Sequence, residues 1–131
     1  MSKESEASIS VPHLRVLSKE GSYWADGWMT QELHLVCEAV EDLSGVEVSI
    51  WNPDSSARYA GNVVTVNCNG RTWNTEPLAM GECANTRIQI NVPDGDEIEI
   101  SISSAVVMKP DALDPRERGA ILVSIGAHVA V

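Results

Sequence analysis

Apolar and polar residues alternate with a period of two along most of this chain, the spacing that sends successive side chains to opposite faces of a β-strand. From Gln31 to Val40, Leu33, Leu35, Cys37 and Ala39 share one face, and Glu32, His34 and Glu38 share the other. Val46, Val48 and Ile50 repeat the pattern on the way to Trp51, which falls on the opposite face with Glu47 and Ser49. Asn52-Pro53-Asp54 then ends that strand with turn chemistry. Ile88, Ile90 and Val92 form a further strand stopped by Pro93-Asp94-Gly95-Asp96, and Ile98, Ile100 and Ile102 follow it. These two runs read as a hairpin. Ile121, Val123, Ile125, Ala127, Val129 and Val131 alternate as a closing strand. A first strand is expected from Ile9 to Leu17, with Pro12 demoting its first half to an edge or irregular entry, before Glu20-Gly21-Ser22 turns the chain. Glu76 to Asn85 has no clean period and reads as a loop or short edge element.

The sharpest local signal is Asn69-Gly70 between the runs Val63–Cys68 and Arg71–Trp73, because both residues tolerate the positive φ of a type I′ turn. A two-residue loop sets Cys68 opposite Arg71 and Val66 opposite Trp73, which turns that indole toward the side of Val64 and Val66. About eight such strands, with turn residues between them and no amphipathic helix, predict an all-β fold. The expected architecture is an antiparallel two-sheet β-sandwich of jelly-roll or Greek-key type. Residues 8–131 are expected to form a single domain behind a flexible tail, Met1 to Ala7.

Composition narrows the partners. The 131 residues carry a formal charge of −10, from 19 acidic and 9 basic side chains, and lack a basic run, so phosphate backbones and anionic membrane surfaces would be repelled. The polar start has no apolar signal-like core, and Ala120 to Val131, the longest apolar stretch, is too short to span a bilayer. Cys37, Cys68 and Cys83 are odd in number and widely spaced, which fits reduced thiols and a cytoplasmic location.

Two segments resist the alternation: Tyr23-Trp24-Ala25-Asp26-Gly27-Trp28 and Asp114-Pro115-Arg116-Glu117-Arg118-Gly119. Together with Trp51-Asn52-Pro53, Val66-Asn67-Cys68-Asn69-Gly70 and the later strands, their order and spacing resemble the β-sandwich accessory domain that accompanies many bacterial glycosyltransferases. The resemblance runs from Tyr23 to Val131. It implies a glycan context, with a saccharide or a glycosyltransferase as partner, and it carries over no defined binding site. Such domains are usually attached to a catalytic domain, for which this chain has no room.

In that context the aromatic side chains matter, since sugars are held by an aromatic face with polar groups nearby. Trp28, Trp51, Tyr23 and Tyr59 are the candidate ligand contacts, alongside Trp24. Arg116 has two readings. It either grips an acidic sugar or pairs with Asp26 through two charge-assisted hydrogen bonds, locking the two unusual segments together as a structural corner. Asp94-Gly95-Asp96 lies between strands and reads as a turn, not as the metal-binding Asp-X-Asp step of a nucleotide-sugar enzyme. The acidic loops at Asp94, Asp96 and Glu97 or Asp111 and Asp114 offer oxygen ligands without the spacing of a calcium motif, so no metal or other cofactor is expected. His13, His34 and His128 are scattered and no serine or cysteine sits in a nucleophile elbow, so the chain is read as non-catalytic. The expectation is therefore a saccharide-binding or glycosyltransferase-supporting module; the alternative is a structural domain that assembles into a homo-oligomer or protein complex without a sugar site.

Overall fold

The computed structural model describes Ala7 and residues 9–130, so most of the expected tail and Val131 lie outside the described residues. Among the described residues, nine strands form two antiparallel sheets. They are β1 (Leu14–Glu20), β2 (Trp28–Met29), β3 (Glu32–Ala39), β4 (Leu43–Trp51), β5 (Val64–Cys68), β6 (Arg71–Asn74), β7 (Cys83–Val92), β8 (Glu97–Ser104) and β9 (Ala120–Val129). One sheet has the order β1-β3-β8-β5-β6 and the other β2-β9-β4-β7. The alternating residues meet between them: Leu33, Leu35 and Cys37 from β3, Val46, Val48 and Ile50 from β4, and Ile98, Ile100 and Ile102 from β8 are all buried. Burial of these facing stripes is the main stabilising term, since each fully buried aliphatic side chain contributes about 1.5–3 kcal/mol of transfer free energy.

The chain changes sheet at every connection between consecutive strands except one. That exception is β5 to β6, where Asn69 and Gly70 hold φ values of 47° and 87° and the register pairs Cys68 with Arg71 and Val66 with Trp73. The expected hairpin of Ile88–Val92 with Ile98–Ile102 does not form. β7 pairs with β4, whereas β8 lies between β3 and β5 in the opposite sheet. Alternation satisfies either arrangement, because both strands still turn their apolar faces to one interior. The turn is tied instead to the end of β3: Gly95 N–H donates to Ala39 O at 2.8 Å and Ala39 N–H donates to Asp96 O at 2.9 Å.

Three further departures have local causes. The first strand begins at Leu14, not Ile9, because His13 takes a φ of 67° and Leu14 N–H closes a turn onto Val11 O. It then runs on to Glu20, past the expected end at Leu17 and up to the expected turn. β7 begins inside the expected loop, its first residues being small or polar and so lacking an apolar period. In β9 a β-bulge shifts the pairing with β4 between Ser49 and Ile50, so Ser49 faces Ser124 while Ile50 faces Leu122. One extra residue reverses the phase of a strand. Ala120 and Leu122 therefore enter the core, and Val123, expected inside, is 58% exposed.

A buried polar network closes the end of the sandwich beyond β4. Asn52, fully buried, donates through Nδ2 to Tyr59 O at 2.8 Å and Ala79 O at 3.0 Å, while its Oδ1 accepts from Asn62 Nδ2 at 3.2 Å. Asn62 continues to Ser104 Oγ at 3.0 Å. These side chains complete the backbone pairing of three loops that have no ladder of their own. Tyr59 O, Leu78 O and Ala79 O each keep a backbone donor when Asn52 is replaced by Ala, but Asn62 loses its buried side-chain partner and a cavity opens, so a loss of about 1–3 kcal/mol is expected from urea unfolding, with the same slope in denaturant if the native fold survives.

Candidate functional site

The two unusual sequence segments meet at one corner. Arg116 donates through Nη1 and Nη2 to the two oxygens of Asp26 at 3.1 and 3.0 Å, and through Nε and Nη2 to those of Asp114 at 3.0 and 2.9 Å. Its guanidinium also lies over the Trp24 ring, 5.1 Å from the centroid. The glycines are required by close approach. A Cβ on Gly119 would fall 2.7 Å from Gln31 Cα, and one on Gly27, which has a φ of 94°, would fall 2.8 Å from Ile121 Cγ2. Gly119 N–H donates to Met29 O and Leu122 N–H to Gly27 O, both at 2.8 Å, so the corner and the short β2–β9 ladder are one unit.

This geometry leaves little of Arg116 for a ligand. Its side chain is 14% exposed and its donor nitrogens already hold carboxylates. The hydrogen bond from Arg116, outweighing the opposing effect of desolvation, holds the Asp114 carboxyl near a pKa of about 2 instead of 3.8, and the same two carboxylates raise Arg116. Asp111 is similarly committed, its Oδ1 accepting from the N–H groups of Leu113 and Asp114 at 2.8 Å each and its Oδ2 meeting Arg118 Nη2 at 3.2 Å. Among the described residues no three His, Cys, Asp or Glu side chains gather to hold a metal ion.

The aromatic candidates separate. Tyr59 is fully buried, and burial pushes its hydroxyl to a pKa of about 12; it donates to Arg118 O at 2.8 Å. Its ring packs at 6.1 Å from that of Trp28, so it supports a neighbour and offers no face to a ligand. Trp24 is buried under Arg116. Tyr23 is half-buried beside a shallow hollow of about 320 Å³ formed with Ile9, Ser10 and β9. Trp28 and Trp51 belong together. Met29 and Ile50 point into the core, as do Ala120 and Leu122, so their neighbours Trp28, Trp51 and Ile121 face outward. Register places Trp28 opposite Ile121 and Ile121 opposite Trp51, one row across β2, β9 and β4. The adjacent row is Ser124, Ser49 and Asn85, with Ser49 Oγ donating to Asn85 Oδ1 at 3.0 Å. Trp51 is itself pinned, its indole N–H donating to Gly81 O at 2.9 Å. All three residues of the aromatic row are partly exposed. The β-bulge in β9 is what brings Ile121 outward, and the sequence alone gives no sign of it.

On the other flank an open groove of about 620 Å³ runs between the edge strands β6 and β7, lined by Arg71, Thr72 and Trp73 on one side and Arg87, Ile88 and Gln89 on the other. Trp73 faces inward, as its register requires, yet stays half-buried because the groove uncovers it.

No family model and no curated protein matches this chain. Solved structures similar to it include a family 35 carbohydrate-binding module from an environmental isolate, with 12% identity and a TM-score of 0.40 over 99% of this chain and 92% of that one. A family 35 module from Cellvibrio japonicus has 11% identity and a TM-score of 0.40 over 94% and 88% of the two chains. A ruminal endo-β-1,4-mannanase has 11% identity and a TM-score of 0.40 over 88% of this chain, which spans only 20% of the enzyme. No ligand or activity follows from likenesses of this size.

The corner makes two predictions. Thermal unfolding of Asp26→Ala, Arg116→Ala and the double variant is expected to show non-additive losses, with a coupling of about 0.5–3 kcal/mol; strictly additive losses would contradict the clamp. Because the Asp114 carboxyl is depressed when folded, its contribution is fully present above its ordinary value of 3.8 and disappears as pH falls through about 2. An acid titration of stability should therefore fall less steeply below pH ~4 for Asp114→Asn than for the parent chain.

Proposed function

We propose that this chain is a non-catalytic saccharide-binding module whose platform is the outer face of the four-stranded sheet. The observation that carries this reading is the row Trp28, Ile121 and Trp51, held in register on three neighbouring strands beside a row of short hydroxyl and amide side chains. A pyranose presents a C–H face to an aromatic ring while its hydroxyls seek hydrogen bonds at the rim, and the two rows supply these in that order. Trp28 and Trp51 are two strand spacings apart, roughly 10 Å, enough for more than one sugar ring.

Three titratable groups are set by the fold in the direction away from catalytic use. A glycosidic general acid needs a raised carboxyl pKa, whereas Asp114 is depressed by its arginine. Burial pushes the thiols of Cys37 and Cys68 up to about 11, away from the thiolate a nucleophile requires. Support of a glycosyltransferase, implied by the sequence resemblance, belongs to the same reading: the module would hold the glycan while a partner acts on it.

Self-association is a second reading, favoured by one observation. β7 is a ten-residue strand at the edge of its sheet, and such an edge is a template for a second copy. One experiment separates the two. Titration of a neutral saccharide panel against tryptophan emission is expected to give a saturable response that Trp51→Ala weakens by roughly tenfold or more, ~1.4 kcal/mol, with unchanged far-ultraviolet circular dichroism. No response to any saccharide, together with a mass that rises with concentration, would replace binding with assembly.

A further inference from the structure

We infer that the free edge of β7 is a docking site for an extended segment of another protein whose residues alternate between apolar and acidic. The segment would add to the four-stranded sheet as a further strand, with apolar side chains over Trp73 and carboxylates beside Arg71 and Arg87. The site is on the flank of the sandwich and stands whether or not the Trp51 row binds a sugar.

The first argument is position. The five-stranded sheet ends in β6 and the four-stranded sheet in β7, with the open groove of about 620 Å³ between these two edges. Trp73 is opposite Val66, which is buried, so the indole is on the inward side of β6. It stays half-buried because the facing sheet stops at β7. The ten residues of β7 pair with β4 alone, and from Ala84 to Val92 its other edge carries no backbone hydrogen bond among the described residues. A strand laid along that edge, about 4.8 Å away, would use those groups and cover the indole.

Backbone pairing gives affinity, and the alternation of β7 gives selectivity. Thr86, Ile88 and Ile90 are buried and turn inward, whereas Asn85, Arg87 and Gln89 are exposed on the outer face. A neighbouring strand divides its side chains in the same way. Every second residue of the guest therefore enters the groove beside Trp73 and Ile88, where an apolar side chain fits. The others stand on the outer face near Arg87, the one charged residue of β7.

Charge makes those other residues acidic. Acidic side chains outnumber basic ones 19 to 9 in this chain, and Arg15, Arg116 and Arg118 each hold a carboxylate. Arg71 and Arg87 make no hydrogen bond or ion pair among the described residues. Arg71 shares the inward side of β6 with Trp73, two residues or about 7 Å away. Arg87 is on the outer face, cross-strand from Glu47, and its Nε would stand 3.5 Å from a Cβ on Gly45. An added strand would thus have one unpaired guanidinium toward each of its faces, and each keeps its fork of donors for a carboxylate. A second copy of this chain is a poorer guest, because its β7 brings another Arg87 and no carboxylate to the edge.

Fluorescence anisotropy tests the site on the full chain with labelled, capped peptides of equal length. One alternates valine with glutamate, one alternates valine with lysine, and one groups the valines and glutamates of the first into two blocks. The expected result is saturable binding of the valine–glutamate alternation, at least tenfold tighter than of the other two and weakening as salt rises. Methylation of every backbone nitrogen of that peptide should abolish binding. Arg71→Gln combined with Arg87→Gln should remove the preference for glutamate over lysine, and Arg71→Glu combined with Arg87→Glu should invert it. Both arginines are exposed, and circular dichroism of each variant establishes that the fold is retained. Four results would overturn the site: no saturable binding, equal affinity for the lysine peptide, binding that survives methylation, or a preference that survives both double substitutions. So would sedimentation of the chain alone showing self-association that Arg87→Glu changes, which would give the edge to a second copy. A saccharide response bears only on the Trp51 row, so the two readings fail separately.

Discussion

A single guanidinium joins the two parts of this chain that are not ordinary strands. Arg116 holds Asp26 and Asp114 and covers Trp24, and in doing so fixes the loop before β9 to the turn before β2. The β2–β9 ladder is only two residue pairs long, too short to hold its register unaided. The clamp supplies what the ladder lacks. Because Trp28 and Ile121 are the outward pair of that ladder, the shape of the outer face follows from an interaction on the rim. The arginine that sequence reasoning offered as a ligand contact is thus occupied in holding two carboxylates of its own chain.

The opposite end of the same row is held by amides. Asn52 follows Trp51 directly, and its bonds to the loops around Tyr59 and Ala79 set where β4 stops and where the Trp51 indole finds Gly81 O. Tyr59, buried beneath, closes the circuit by touching Trp28 with its ring and Arg118 with its hydroxyl. Charged clamp and amide network therefore meet under the platform. A surface fixed from both sides has little conformational freedom left to lose, which is what the proposed binding reading requires of it. The groove at β6 and β7 differs in kind. It is an open gap between two sheet edges, with Trp73 half-buried at its floor.

Legibility varied with the range of the interaction. The Asn69-Gly70 turn and the register of Trp73 were readable because both are decided within a few residues. The β7–β8 hairpin was misread for the converse reason: a turn sequence says that the chain reverses, not which sheet it enters. Val123 was misplaced because a bulge inserts its extra residue in answer to a partner strand more than seventy positions away. Tyr59 read as an available aromatic because a short turn, Ala57–Tyr59, carries no period that reveals its burial. The Asp26–Arg116 contact was open to a chemical guess, since a carboxylate and a guanidinium in two irregular segments are natural partners, but the sharing of Arg116 with Asp114 and Trp24 was not.

What the sequence by itself determined is the division of each strand into an inner and an outer face, and hence two layers around a dry interior, because alternation is a local property of an extended backbone. What only the tertiary structure decided is which strands are neighbours, where their phase slips, and which polar side chains are already engaged. Those depend on pairings between residues far apart in the chain, and the same pattern of apolar positions is compatible with several of them. The candidate platform arises at that second level, from three strands brought into a row.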